Sequence, residues 1–209
     1  MIHIITAENR HLFRHALMEM HRQRKAVFID ELGWPLQAEA GIEIDAYDGE
    51  DVVYLIESDG PRACVGGSAR LLPTVRGHLL QDVFADLCEE GVPRGAQIWE
   101  ATRFCPSPEL GRGEARQALL NRMIGAIMET GLLFGIEQVT FVASAALAPL
   151  AENAGWDVRA LGPAKRRGRD KVRAFAASID ATGLKRVRDR AGVSGPLTRF
   201  TPGLVPQAA

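Results

Sequence analysis

The spacing of apolar and polar residues predicts both helices and strands along this chain. Helical spacing predicts helices over 8–32, 83–89, 112–134, 145–153 and 180–190. Short apolar runs bounded by turn residues predict strands over 2–6, 52–57, 63–72, 97–105, 139–144, 156–161 and 172–178. Because several strands follow one another in the middle of the chain, we expect a mixed three-layer α/β fold and not a doubly wound dinucleotide-binding fold.

The length of 209 residues favours one domain, which we place over 1–180, followed by a basic helix and a Gly- and Pro-containing tail over 181–209. No apolar run reaches the roughly 18 residues that a membrane span needs. The start of the chain shows no export signal. The cysteines are few and lack C-x-x-C spacing, so we expect reduced thiols, no zinc site and a cytoplasmic protein.

The net charge is only −1, but it is unevenly distributed. Residues 159–190 contain eleven Lys and Arg against three Asp and Glu, an excess of +8. Residues 33–51 contain six carboxylates and no Lys or Arg. The basic segment should attract anions and the acidic segment cations. The basic segment has no interleaved aromatic residues or recognition-helix pattern, so no nucleic-acid partner is expected.

Several charged residues stand where a packed core would place apolar ones. Arg24 shares a helix face with Phe28, four residues later. Glu100 and Arg103 lie within one predicted strand, where a charge needs a partner because burying it unpaired is costly. In a regular strand these two side chains project to opposite faces. Either they serve different sites, or a bulge near Thr102 turns one of them.

Taken together, these positions resemble the acyl-homoserine-lactone synthases, the autoinducer synthases of bacterial quorum sensing, over about residues 1–180. The resemblance rests on Arg24, Phe28 and Trp34 in RKAVFIDELGW, Asp45 and Asp48 in EIDAYD, Arg70 in GGSARLLP, Phe84 in QDVF, and Glu100 and Arg103 in IWEATRF. It implies a fold similar to the N-acetyltransferases. It also implies that the amine of S-adenosylmethionine attacks an acyl thioester, after which the methionyl carboxylate closes a lactone and expels methylthioadenosine.

The resemblance implies two catalytic residues, Glu100 and Arg103. Much of an α-amine is protonated at cell pH, so the reaction needs a base, and Glu100 is the candidate, directly or through one water. Backbone N–H groups beside a strand bulge are expected to stabilise the oxyanion of the tetrahedral intermediate. Neither a metal nor a tightly bound cofactor is expected, since S-adenosylmethionine and the thioester are both substrates.

A second group is expected to bind S-adenosylmethionine and to form the charge network of the site. It comprises Arg24, Phe28, Trp34, Asp45, Asp48 and Arg70. The acidic loop suits the sulfonium and the ammonium of the ligand, and the two aromatic rings can lie against the sulfonium. Arg24 or Arg70 could hold the ligand carboxylate through a forked pair.

The acyl donor implied by the resemblance is a thioester of either acyl carrier protein or coenzyme A. Four residues are candidates for the acyl pocket: Phe84, Thr140, Ala143 and Ser144. The dense basic stretch from Lys165 to Arg173 could steer either acidic donor, or it could be a solvated face.

Three alternatives stay open. The charged residues could form a purely structural salt-bridge network. The chain could be an acetyl-coenzyme A-dependent N-acetyltransferase, although the stretch from Pro108 to Gly113 keeps the glycines of that family's phosphate loop and lacks its opening Arg or Gln. The chain could also bind a cationic metabolite without catalysis, in which case the proposed base would have no task.

Overall fold

The computed structural model describes residues 1–111, 113–144 and 148–203. Parts of three sequence predictions lie outside the described residues. They are Arg112, the first residue of the helix predicted over 112–134, residues 145–147 of the helix predicted over 145–153, and residues 204–209 of the predicted tail.

Among the described residues, nine strands form one mixed sheet. The strands are β1 (Ile2–Ile5), β2 (Val53–Glu57), β3 (Gly67–Pro73), β4 (Ile98–Pro106), β5 (Gln138–Ser144), β6 (Val158–Ala160), β7 (Lys165–Arg167), β8 (Asp170–Ser178) and β9 (Thr198–Phe200). Their order is β6-β8-β5-β4-β3-β2-β1-β9, and β7 also pairs with β8. Pairing is parallel between β4 and β5 and between β1 and β9, and antiparallel elsewhere.

The helices are α1 (Arg14–Arg24), α2 (Leu79–Val83), α3 (Glu114–Leu133), α4 (Ala148–Asn153) and α5 (Ala181–Ala191). Short 3₁₀ turns occur at Arg10–Phe13, Ala85–Leu87 and Pro108–Leu110, and a π-helix continues α1 over Lys25–Glu31. None of the helices in the described part of the chain is long and apolar enough to cross a bilayer.

Helices cover both faces of the sheet. On one face, Met20 of α1 packs in a cluster with Tyr54 of β2. On the other face, Ile127 of α3 and Val187 of α5 pack in a cluster with Leu55. The alternation of Tyr54 and Leu55 along one strand sends neighbouring side chains to opposite layers. The predicted mixed three-layer α/β fold is therefore confirmed.

The structure departs from the sequence predictions at several elements. The helix predicted over 8–32 spans 10–31, but its hydrogen-bond spacing changes twice along its length. The prediction of a helix over 83–89 is wrong, because α2 ends at Val83 and only a 3₁₀ turn follows. Strands β7 and β9 are unpredicted, since each has three residues that are mostly polar or charged. Strand β9 pairs with β1, which adds the C-terminal segment to the same sheet.

The neighbouring strands β4 and β5 separate partway along the sheet. Their pairing runs from Ile98 opposite Gln138 to Glu100 opposite Thr140. Beyond that point β5 pairs only with β8, as far as Ser144, and β4 only with β3. Backbone groups of β4 that point towards β5 therefore lose their ladder partners, and an opening crosses the sheet between the two strands.

Candidate active site

A β-bulge in β4 decides where Arg103 points. The register between β3 and β4 shifts between Ser68 and Arg70, because Arg103 and Phe104 together stand opposite one residue. Arg103 has a φ of 50°, a left-handed conformation that arginine rarely adopts. The bulge turns its side chain onto the face that carries Glu100, so the two proposed catalytic residues share one face of the sheet.

Three arginines from three elements converge on three carboxylates of the acidic loop that follows the π-helix. They are Arg24, Arg70 and Arg103, and Glu43, Asp45 and Asp48. The positive and negative charges are equal in number, so the network is internally neutral. Charge-assisted and forked pairs of this kind are among the strongest hydrogen bonds in proteins.

Arg24 is fully buried in this network. Its Nε donates to Oε2 of Glu43 at 2.5 Å, and its two terminal nitrogens donate to the two oxygens of Asp48, each at 2.8 Å. The hydroxyl of Tyr54 also donates to Asp48, at 2.8 Å. Burial alone would raise the pKa of Asp48, but the hydrogen bonds from Arg24 and the charge of Arg70 hold it well below its ordinary value.

Arg70 is equally buried. It donates a forked pair to Asp45, at 2.5 and 3.0 Å, and a further hydrogen bond to Asp48 at 2.8 Å. Its Nε donates to the hydroxyl of Thr102 at 2.9 Å. All three nitrogens of Arg24 and all three of Arg70 therefore donate to protein groups of this network.

The carboxylates are similarly engaged. The side chains of Glu43 and Asp48 are 1% and 2% exposed, whereas that of Asp45 is 18% exposed. Three of the six carboxylates in the acidic loop are thus held by arginine, and of these three Asp45 is the one that is partly exposed. Among the residues that the structure describes, no group of three or more His, Cys, Asp and Glu could hold a metal ion.

Arg103 is the member of the network that also faces open space. Its Nη2 donates to Glu43 at 2.8 Å and to Asp45 at 2.7 Å. Its hydrogen bonds to the described residues use Nε and Nη2, which leaves Nη1 for a ligand. The site residues assigned through the resemblance did not include Glu43, although it stands two residues before Asp45 in the same acidic motif. Burial alone would raise the pKa of Glu43, but Arg103 and Arg24 lower it.

Glu100 is fully buried on the same face of the sheet. Its Oε1 accepts a hydrogen bond from the backbone N–H of Leu80 at 2.8 Å, in the first turn of α2. Its Oε2 is buried and has no hydrogen-bond partner among the described residues. Burial raises the pKa of Glu100 to about 7. A carboxyl group with a free oxygen and a pKa near neutrality is suited to proton transfer.

A cavity of about 770 Å³ passes through the opening between β4 and β5. On the α1 side, Phe28, Trp34 and Arg103 line it. The rings of Phe28 and Trp34 stack with centroids 4.9 Å apart, and the Arg103 guanidinium lies 5.5 Å from the Phe28 centroid. On the α3 side its lining is mainly apolar: Leu120, Ile124, Ile127, Phe141, Ala143, Ala151 and Trp156. Arg116 and Ser144 also line the cavity. One cavity therefore joins a charged aromatic end to an apolar end.

The four acyl-pocket candidates divide into two pairs. Ala143 and Ser144 line the cavity. Thr140 and Phe84 are not among its described lining residues. Thr140 is fully buried and its hydroxyl lies 3.4 Å from the carbonyl oxygen of Trp99. Phe84 packs in a separate cluster beside α2.

The predicted basic patch forms the hairpin of β7 and β8. Lys165 and Arg167 pair with Asp86, at 3.2 and 2.5 Å, which fixes the hairpin to the turn after α2. Arg166 and Arg169 are exposed on the same hairpin. The patch is therefore partly a structural contact and partly a free positive surface.

Comparison with known proteins agrees with this geometry. A family model described as autoinducer synthase matches residues 8–187. The isovaleryl-homoserine lactone synthase of Bradyrhizobium diazoefficiens is 36% identical over 164 residues, which are 78% of this chain and 72% of that protein. The structure of BjaI, a CoA-dependent acyl-homoserine lactone synthase with SAM and isopentyl-CoA, matches with a TM-score of 0.89 and 31% identity over 98% of this chain and 95% of that one.

The wider fold group is also identified. An acyl-CoA N-acyltransferase from Pseudomonas aeruginosa matches with a TM-score of 0.57 and 20% identity over 84% of this chain and 97% of that one, which shows a shared fold. The fold is thus similar to that of the N-acetyltransferases. That the protein is an acyltransferase follows from the family model and from the synthases compared above. Within that class, this chain belongs to the autoinducer synthase family, as the sequence resemblance indicated.

Proposed function

We propose that this chain transfers an acyl group from a coenzyme A thioester to the amine of S-adenosylmethionine, and that the methionyl carboxylate then closes a homoserine lactone and releases methylthioadenosine. The observation that carries the proposal is the single cavity through the split sheet, with a charged aromatic end and an apolar end. The two ends suit the two substrates, and the opening between β4 and β5 is where they would meet.

S-adenosylmethionine would bind at the α1 end. Its sulfonium can lie against the stacked rings of Phe28 and Trp34, of which Trp34 is 39% exposed. Its carboxylate can accept a hydrogen bond from Nη1 of Arg103. The neutral network behind Arg103 would hold this guanidinium in place without competing for the ligand. We assign the binding role to these three residues, and a supporting role to Arg24, Arg70, Glu43, Asp45 and Asp48.

Glu100 would take the proton that the attacking amine loses. It lies on the same face as Arg103 and is buried, so we propose that the proton passes through one water molecule. The alternative is that Glu100 only holds the start of α2 through its hydrogen bond from Leu80. A structural role alone leaves the unpartnered Oε2 without an explanation.

The remaining steps need little from side chains. Amide formation passes through a tetrahedral oxyanion, and the unpaired backbone of β4 beside the bulge offers N–H groups for it. The thiolate of the donor leaves as the amide forms. In lactone closure the methionyl carboxylate attacks the γ-carbon and breaks its bond to sulfur, and the sulfonium leaves as neutral methylthioadenosine. The protein contributes by holding carboxylate and carbon in position.

Coenzyme A is the donor that we favour. Arg116, in the first turns of the 20-residue helix α3, lines the mouth of the cavity, and a helix N-terminus beside an arginine suits a phosphate. The BjaI structure, whose description includes isopentyl-CoA, supports this choice. An acyl carrier protein is the second candidate, because Arg166 and Arg169 present free positive charge. Since both small substrates are made inside cells, we place the reaction in the cytoplasm.

One experiment tests the reaction and the donor together. The purified chain is supplied with S-adenosylmethionine and either an acyl-coenzyme A series or the matching acyl carrier protein thioesters. Mass spectrometry then follows methylthioadenosine and the lactone. The proposal expects both products in equal amounts from coenzyme A thioesters. An acylated amine without methylthioadenosine would instead identify an ordinary N-acyltransferase. If only the acyl carrier protein thioesters gave products, acyl carrier protein and not coenzyme A would be the donor.

A further inference from the structure

The short helix α2 holds one oxygen of Glu100, the proposed base. The backbone N–H of Leu80, in the first turn of α2, donates to Oε1 of Glu100 at 2.8 Å. His78, the residue before the helix, makes no side-chain hydrogen bond to that turn. Glu100 therefore satisfies an N–H group that a capping side chain would otherwise satisfy. Because this hydrogen bond fixes Oε1, the direction of the other oxygen, which has no partner among the described residues, depends on where α2 lies.

Tyr47 and Asp82 join α2 to the acidic loop. The hydroxyl of Tyr47 donates to Oδ2 of Asp82 at 3.1 Å, two residues after Leu80 in the helix. In the described part of the chain no other hydrogen bond joins α2 to that loop. On its buried side Leu80 packs in a cluster with Ala174 of β8. Apolar packing is not directional and a five-residue helix has little stability of its own, so its hydrogen bonds set its orientation.

The other end of Tyr47 is anchored in the charge network. Its backbone N–H donates to Oδ1 of Asp45 at 2.9 Å. Its ring lies 5.8 Å from the guanidinium carbon of Arg70, close enough for a cation–π contact. Asp45 in turn pairs with Arg103 at 2.7 Å. Tyr47 thus connects the network that holds Arg103 with the helix that holds Glu100.

Asp82 also acts on Glu100 through its charge. Burial is the main reason why the pKa of Glu100 is raised; the negative charge of Asp82 raises it further, and the positive charge of Arg70 lowers it. Burial and Asp82, with a smaller effect from Glu100, raise the pKa of Tyr47 to about 12, so this hydroxyl stays protonated near neutrality. Asp82, Arg70 and Tyr47 face Glu100 from α2, β3 and the acidic loop, and its neighbour on β5 is the uncharged Thr140.

We infer that Tyr47 and Asp82 are positioning residues of the acyl transfer, because their hydrogen bond holds α2 against the charge network and so sets the direction of Glu100 relative to Arg103. Both residues act through α2 and not on the substrates. The inference rests on the proposed synthase function and adds two residues to its machinery.

The hydrogen bond is tested by Tyr47→Phe, which keeps the ring over Arg70 and the charge of Asp82. Methylthioadenosine release is followed with S-adenosylmethionine and the acyl-coenzyme A thioester that the wild type uses best. We expect kcat to fall about 3- to 10-fold, the effect of one lost hydrogen bond. The KM for S-adenosylmethionine should stay at its wild-type value, because the binding residues keep their contacts.

The charge of Asp82 is tested separately. Asp82→Asn keeps an oxygen that accepts from Tyr47, so kcat at alkaline pH should stay near the wild-type value. The lower inflection of kcat/KM should move to lower pH, since the charge that raises the pKa of Glu100 is gone. Asp82→Ala removes charge and acceptor, and its kcat should fall as in Tyr47→Phe. The double variant Tyr47→Phe, Asp82→Ala should be no worse than Asp82→Ala alone, because both changes remove one hydrogen bond.

Asp51→Ala is the matched control. Asp51 is an exposed carboxylate that pairs with Arg76 at 3.3 Å, shortly before α2. Its removal should change neither kcat nor the lower inflection. Thermal melting of each variant checks that it is folded.

The outcomes separate the two proposals. If the wild type releases no methylthioadenosine from any thioester, the synthase function fails and the positioning role falls with it. If the wild type is active and folded Tyr47→Phe keeps its kcat, the function stands and the positioning role is overturned. Additive losses in the double variant would also overturn it. If Tyr47→Phe does not fold, the two Asp82 variants decide, and equal kcat in Asp82→Asn and Asp82→Ala would contradict the inference.

Discussion

Nη2 of Arg103 lies 2.8 Å from Oε1 of Glu43, although the two residues are sixty positions apart in the chain. The contact exists because the bulge in β4 gives Arg103 a φ of 50°. Such a conformation costs energy for a residue with a side chain, so the surrounding structure must hold it. Two carboxylates, those of Glu43 and Asp45, do so here.

Removal of the Glu43 charge should therefore weaken both the fold and the binding of S-adenosylmethionine. Glu43→Gln keeps the shape of the side chain but removes the negative charge that pairs with the buried guanidinium groups of Arg24 and Arg103. We expect a loss of about 3 kcal/mol in the free energy of unfolding, measured by urea titration. The KM for S-adenosylmethionine should rise while that for acyl-coenzyme A changes little. Glu39→Gln, in an exposed part of the same loop, is the control, and equal behaviour of the two variants would rule out this role for Glu43.

Glu100→Gln should slow amide formation by roughly 10²–10⁴-fold if the carboxylate is the base. In the wild type, kcat/KM should fall as the pH drops below about 7, because Glu100 becomes protonated. Titration of the substrate amine, near about 8, adds a second rise at higher pH. In the variant the lower inflection should disappear and the upper one should stay. A variant that keeps wild-type turnover would leave Glu100 with only its contact to α2.

The same substitution should stabilise the protein at alkaline pH. The pKa of Glu100 is raised from 4.5 to about 7 in the folded state, so the stability that the protonated group provides is present at low pH and lost as the pH rises through about 7. A glutamine side chain at this position has no charge to bury. We expect the variant to exceed the wild type by roughly 3 kcal/mol at pH 9 and to match it near pH 4, as measured by urea titration. A stability difference that does not depend on pH would contradict the assigned titration.

Trp34→Leu should raise the dissociation constant of S-adenosylmethionine several-fold, because the cation then loses one of its two aromatic partners. Trp34→Phe keeps an aromatic face and should raise the dissociation constant much less. Isothermal titration calorimetry with S-adenosylmethionine alone checks both variants. Equal affinity in the leucine and phenylalanine variants would mean that the ring face does not bind the sulfonium.

Arg116→Gln should raise the KM for acyl-coenzyme A several-fold at low ionic strength and leave the KM for S-adenosylmethionine unchanged. The effect should shrink as salt is added, because a partly exposed charge is screened. The double variant Arg166→Gln, Arg169→Gln tests the exposed part of the hairpin. It spares the Asp86 ion pairs, so it does not disturb the hairpin itself. If the KM for acyl-coenzyme A rose more in the double variant than in Arg116→Gln, the hairpin and not Arg116 would be the donor-binding surface.

The sequence alone determined the fold class and the family of this protein. Helical and strand spacing are local properties, so α3 and β5 could be predicted from their own residues. The motif residues from Arg24 to Arg103 were recognisable because they stand in a fixed order. Short charged strands such as β7 and β9 could not be predicted, since their pairing partners are distant in the chain and their side chains show no alternation.

Only the tertiary structure decided which partners the charged residues have. Sequence spacing allowed two arrangements: Glu100 and Arg103 on opposite faces of the strand, or a bulge that turns one of the two side chains. The bulge that the structure shows depends on how β3 pairs with β4. Sequence spacing also could not predict that three arginines pair with three carboxylates, because this network requires α1, the acidic loop and two strands to meet at one point. That meeting buries Arg24 and Arg70 against protein carboxylates and leaves Arg103 facing the cavity. The physical reason is that burial forces each charge to find a partner, and the partners come from distant parts of the chain.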